Sequence, residues 1–212
     1  MNRSFEEMDI NWDNLEIITK GRIPEDLTAD EVEFFTKKIF GIGLGRTGTR
    51  SLFVAMYMLG FKTSHGINHI NSIHKNQFCD DISISHRYKF LDYAFPDAKF
   101  ILTIRDLDSW LISCGKHSRR KGGLFDPSLP ILAEKLHRSE QRFNIFGITH
   151  FDEDIYRAKY YEYHDGVYKH FKGREDKLLT MNIMNGDSWD VLCPFVDRQP
   201  VSEPFPHENK SK

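Results

Sequence analysis

The sequence predicts an α/β fold of three layers with a mostly parallel central sheet. Three observations lead there. Short apolar runs that read as strands alternate with segments of helical periodicity. One run, Lys38-Ile39-Phe40-Gly41-Ile42-Gly43, passes through a glycine-rich turn straight into a helix. Another, residues 98–104 (AKFILTI), is almost continuously apolar, as a strand covered by helices on both faces should be.

The elements follow in order. Residues 1–35 carry ten acidic and three basic side chains, with some amphipathic character at Ile10, Trp12, Leu15, Ile17 and Ile18. Residues 30–35 read as a short helix capped by an Asp or by Thr28. This predicts an N-terminal extension, 1–35, packed on a domain of residues 36–212; a lid or the arm of a homodimer is the alternative reading. Residues 49–59 form a helix that Gly60 ends, and 61–65 a short second strand. After the central strand, Asp106 or Asp108 caps a helix that Gly115 stops. Residues 116–130 are basic, then rich in Gly and Pro, and read as a loop. Helices are expected near 129–143, over the aromatic-rich 152–171 and over 187–195, with a strand at 177–183. The proline-bearing tail is extended.

Bulk properties narrow the function. A chain of 212 residues suits one domain with a real core, and a net charge of −2 argues against general nucleic-acid binding. Any anion site must then be a local concentration of basic groups. Cys79, Cys114 and Cys193 lie far apart and read as free thiols in a reducing compartment. The first residues lack the pattern of a secretion signal, and no apolar run approaches the ~18 residues of a membrane span. A cytoplasmic protein without a membrane span is the expectation. His65, His69 and His74 with Cys79 fit no compact metal pattern, so no metal site is expected.

Residues 40–51, FGIGLGRTGTRS, match three anion-binding loops. The dinucleotide reading of Gly43-x-Gly45-x-x-Gly48 needs an acid ~20 residues further on for the ribose, yet no Asp or Glu lies between Arg46 and Cys79. A tyrosine-phosphatase loop needs a cysteine six residues before the arginine, where Phe40 stands. The phosphate-cradling P-loop survives in altered form. Strand, glycine turn and helix come in the right order, with amides of residues 45–49 at a helix N-terminus. Thr49-Arg50 replaces the usual Lys-Ser/Thr pair, and Arg46 sits inside the loop.

This arrangement resembles the sulfotransferase family, whose P-loop-like fold binds 3′-phosphoadenosine-5′-phosphosulfate (PAPS). Arg46 stands where the family usually has lysine, and Gly48-Thr49 matches its Gly-Thr pair. The family has a strand-end arginine and, eight residues later, a serine, both on the 3′-phosphate; Arg105 and Ser113 have that spacing. The segment LLTMNIMNGDSWDVLCPFV and the tail Pro204-Phe205-Pro206-His207-Glu208-Asn209 are similar to the end of a subgroup of small sulfotransferases.

The resemblance implies metal-independent transfer of a sulfuryl group to a hydroxyl or amine of a small-molecule or glycan acceptor. It implies donor binding by Gly45, Arg46, Thr47, Gly48, Thr49, Arg50, Ser51, Arg105 and Ser113. Arg46 would stabilise the leaving oxygen. Asp81, Asp80 and His65 are the candidate bases, with Asp81 preferred on the family's spacing before Arg105. Two other classes stay open: a small-molecule kinase using ATP-Mg, and a non-catalytic nucleotide-binding protein. Arg105 could instead pair with Asp106 or Asp108. The run Lys116-His117-Ser118-Arg119-Arg120-Lys121 reads as a solvated helix end or as a guide for anions. Tyr156, Tyr160 and Tyr163 are candidates for lining the acceptor pocket.

Overall fold

The computed structural model describes residues 27–67, 70–120 and 133–208. The amphipathic stretch 10–18, His69, Lys121 with the Gly- and Pro-rich segment after it, and Asn209 lie outside the described residues.

Five strands form one all-parallel sheet: β1 (Ile39–Gly41), β2 (Thr63–His65), β3 (Phe78–Asp80), β4 (Lys99–Thr103) and β5 (Leu178–Met181). Their order is β2-β3-β1-β4-β5. The chain runs from β1 to one side of the sheet, then crosses to the other at β4. Such a switch point leaves a crevice at the carboxyl ends of the central strands, where α/β sheets hold ligands. The helices are α1 (Ala29–Thr36), α2 (Thr49–Met58), α3 (Ile82–Ser85), α4 (Tyr88–Ala94), α5 (Leu107–Arg120), α6 (Ala133–Phe146), α7 (Glu153–Phe171) and α8 (Trp189–Phe195). No helix among the described residues is long and apolar enough to cross a membrane.

The period-two rule of strands builds both cores. Ile39, Phe78 and Ile101 face one side with Leu52, Met56 and Leu192. Their neighbours Phe40, Cys79, Phe100 and Leu102 face the other with Leu91, Val167 and Phe171. A third cluster, with Leu44, Trp110, Phe146 and Tyr156, lies beneath the glycine loop.

Thr28 caps α1 in a capping box with Glu31. The chain then enters β1 through Lys38, whose buried ammonium donates to the carbonyls of Phe34, His74 and Asn76 at 2.7, 3.3 and 2.9 Å. Gly115 does not stop α5, which continues to Arg120; residues 116–120 are therefore helical rather than loop. The reason is packing: a Cβ at Gly115 would lie 3.2 Å from the Phe151 ring, so the glycine admits that ring against the helix. β3 was absent from the sequence expectation, which placed no strand between residues 65 and 98.

Candidate active site

The glycine loop leaves β1 at Gly41 and enters α2 at Thr49. Five successive carbonyls of the loop are tied to side chains. Ile42 C=O accepts from the Tyr163 hydroxyl (2.6 Å) and Gly43 C=O from the Ser85 hydroxyl (2.8 Å). Leu44 C=O accepts from the Thr47 hydroxyl (2.6 Å), Gly45 C=O from the Trp110 indole (2.9 Å) and Arg46 C=O from the Arg105 guanidinium (3.3 Å). Each held carbonyl fixes the amide after it, because C=O and N–H of a trans peptide point opposite ways. The Thr47 proton goes to Leu44, so Thr47 Oγ1 accepts from Thr103 at 2.7 Å. Thr47 therefore serves the loop's shape through its side chain.

Two glycines here have different reasons. A Cβ on Gly43 would stand 1.9 Å from Thr103 Oγ1 and 2.8 Å from Thr47 Oγ1, so only glycine lets the loop lie on the end of β4. A Cβ on Gly45 would meet nothing within 4 Å. Gly48 has φ 106° and starts α2 without a side-chain cap. The first bond of the α2 ladder is Leu52 N–H to Gly48 C=O, which leaves the amides of Thr49, Arg50 and Ser51 outside the ladder at a positively polarised terminus. Ser51 is buried, and its hydroxyl accepts from Glu208 N–H at 2.9 Å, tying the C-terminal tail to the loop helix.

Arg46 has φ 76°, a left-handed conformation that costs a non-glycine residue about 1–2 kcal/mol. Its Nε donates to Ser113 Oγ at 3.1 Å. Arg105 lies two residues beyond β4 and donates from Nε to Ser109 Oγ at 2.9 Å. The sequence reading assigned Arg105 and Ser113 to one phosphate; in the structure Ser113 also accepts from Arg46, and Arg105 donates to the Arg46 carbonyl. Asp106 caps α5 through Ser109 N–H, and Asp108 engages Arg157. Burial pushes the Cys114 thiol up to about 12, against the pull of Arg142, Arg46 and Arg105. Arg142 thus joins this basic neighbourhood, also donating to the Tyr156 hydroxyl at 2.9 Å. Sequence reasoning missed it, because an arginine in a polar helix carries no signal of where it points.

The three candidate bases meet at the ends of β2 and β3. Register pairs His65 directly with Asp80, and His65 Nδ1 lies 2.6 Å from Asp80 Oδ1. Asp80 is fully buried, and a Cβ on Gly41 would stand 2.6 Å from its Cβ, so Gly41 clears its place. Burial pushes the Asp80 carboxyl up to about 7, with the His65 hydrogen bond working against it. Burial would lower His65, but the hydrogen bond and charge of Asp80, helped by Asp81, raise its pKa overall. The Phe53 ring packs on His65 with centroids 5.5 Å apart, and Arg50 lies over the same ring. Asp81 follows at φ 83°, half-buried and facing Gly66.

The three tyrosines of α7 point inward. Tyr163 shares its proton between Ile42 C=O and Ser85 C=O, Tyr160 donates to Arg105 C=O, and Tyr156 is buried against Phe146 and Trp110. Through these contacts they brace the loop side of the site.

The sulfotransferase domain family matches residues 38–89 and 73–212, stretches that together run from just before β1 to the last residue. Comparison with curated proteins finds no match to the chain.

Proposed function

The chain belongs to the sulfotransferase family, and on that premise we propose that it is a PAPS-dependent enzyme acting on an acceptor hydroxyl, with His65 as the general base. One observation carries this reading. The Arg105 guanidinium donates to the Arg46 backbone carbonyl, and the Arg46 side chain donates to Ser113. The groups expected at the 5′-phosphosulfate and at the 3′-phosphate are therefore neighbours. A donor with anionic groups at both ends suits that arrangement, and the open space beside Gly45 admits close approach to the backbone.

PAPS, when bound, supplies the sulfuryl group, and its S–O bond to the 5′-phosphate breaks as the acceptor oxygen bonds to sulfur. The amides at the start of α2 hold the 5′ end, and the Arg46 guanidinium stabilises charge gathering on the leaving oxygen. Arg105 and Ser113 hold the 3′-phosphate. His65 takes the acceptor proton at Nε2, since Asp80 occupies Nδ1 and stabilises the imidazolium that forms. The raised His65 pKa and its fixed ring favour it over the carboxylate of Asp81.

The test is turnover. The chain is incubated with PAPS and a panel of hydroxyl and amine acceptors, and adenosine 3′,5′-bisphosphate release is followed. Acceptor-dependent release supports the reading. Binding of the bisphosphate with no transfer to any acceptor, or no loss of transfer in Arg46→Ala, would sink the enzymatic assignment of these residues.

A further inference from the structure

We propose that Trp110 is a positioning residue that holds Arg46 in its working conformation. The inference rests on the donor reading above, but the device itself is visible without a ligand. Arg46 is the strained residue of the loop, and both peptides that flank it are held from α5 and its start. The Gly45–Arg46 peptide is held at its carbonyl by Trp110 Nε1 (2.9 Å). The Arg46–Thr47 peptide is held at its carbonyl by Arg105 Nη1 (3.3 Å), and Arg105 in turn has its own carbonyl held by Tyr160. Two fixed peptide planes fix the φ and ψ between them. They therefore fix the direction in which the Arg46 side chain leaves the backbone.

Trp110 is suited to this task. Its ring is fully buried and rigidly packed, with the Tyr160 centroid at 4.9 Å, Tyr156 at 5.8 Å and Phe146 at 6.3 Å. Its one donor reaches past the cluster to a backbone carbonyl 65 residues earlier. A buried indole N–H seeks a partner. Here the partner is the carbonyl next to the strained arginine, with Ser113, which accepts from the Arg46 side chain, three residues along the same helix. One helix thus holds Arg46 at its backbone through Trp110 and at its side chain through Ser113.

The test is Trp110→Phe, which keeps an aromatic ring and removes the donor. Adenosine 3′,5′-bisphosphate binding is measured by calorimetry for the wild type, Trp110→Phe, Arg46→Ala and the double variant. The expected loss in Trp110→Phe is roughly fivefold to tenfold, the worth of one buried hydrogen bond, and it should vanish when Arg46 is already alanine. An undiminished Trp110→Phe loss in the Arg46→Ala background means a merely structural role and overturns the proposal. Hydrogen exchange is read in parallel without ligand. Faster exchange confined to residues 44–48 supports the brace; unchanged loop exchange, or a rise that includes α5 and α7, overturns it. A wild type that binds no bisphosphate contradicts the donor reading instead, and the exchange result then decides the brace alone.

Discussion

Replacing Gly43 and Gly45 separately by alanine discriminates between the two halves of the loop's G-x-G pattern. A Cβ at residue 43 would come within 1.9 Å of Thr103 Oγ1 and 2.7 Å of the Thr103 carbonyl, against an ordinary contact of 3.4–4 Å. The loop must move off β4, and the Thr47–Thr103 bond at 2.7 Å breaks. One buried hydrogen bond is worth about 1 kcal/mol, and overpacking adds about 1–3 kcal/mol, so Gly43→Ala should cost about 2–4 kcal/mol. For a domain of this size that lowers Tm by about 5–15 °C. At Gly45 the Cβ meets no atom and no positive φ opposes it, so Gly45→Ala should leave Tm within about 2 °C. It should nevertheless weaken adenosine 3′,5′-bisphosphate binding about tenfold or more, because the methyl would stand between backbone and ligand. Scanning calorimetry and titration read both quantities. Gly43→Ala with an unchanged Tm, or Gly45→Ala destabilised as much as Gly43→Ala, would refute the reasoning.

Further outcomes follow from the same geometry. Arg46→Ala should keep the fold and lower kcat about 100-fold or more, as expected when a donor to the leaving oxygen is lost; a near-normal kcat would remove Arg46 from that role. The His65 pKa is raised, so the base is protonated in acid and kcat/KM should climb with pH through an apparent pKa above the ordinary ~6.5. Asp80→Asn should move that limb to lower pH while reducing the plateau, and an unmoved limb contradicts the pairing. Burial would raise Asp92, but hydrogen bonds from Arg174 and His170 win and hold it below its ordinary value. Its stabilisation is then present at neutral pH and lost as pH falls below ~4 through the folded pKa. Asp92→Asn should cost about 1–2 kcal/mol at pH 7, since Arg174 is partly exposed, and the gap to wild type should close in acid.

Much of this fold was legible because its signals are local. The run KFILT needed no partner to read as a central strand, and the glycine turn between β1 and α2 announced both neighbours. The residues named from the loop and from the end of β4 do converge at the carboxyl edge of the sheet. β3 was not legible: three residues, Phe78-Cys79-Asp80, carry too little periodicity to separate a strand from a turn. That gap hid the register that sets His65 opposite Asp80, so candidates weighed as rivals turn out to be bonded to each other. Gly115 misled because a glycine read for backbone freedom was present for packing against Phe151. Trp110 had no place in the sequence reading, because its N–H partner is set by tertiary structure alone. The one usable hint is chemical: a tryptophan that is buried must put its donor somewhere.

The central claim is that the glycine loop, Arg46 and Arg105 form one donor site. Calorimetric titration of adenosine 3′,5′-bisphosphate and of ATP-Mg into the wild type and Arg105→Ala tests it most directly. The bisphosphate should bind tightly and ATP-Mg weakly, with a large loss of bisphosphate affinity in Arg105→Ala. Tight ATP-Mg binding with none of the bisphosphate would contradict it.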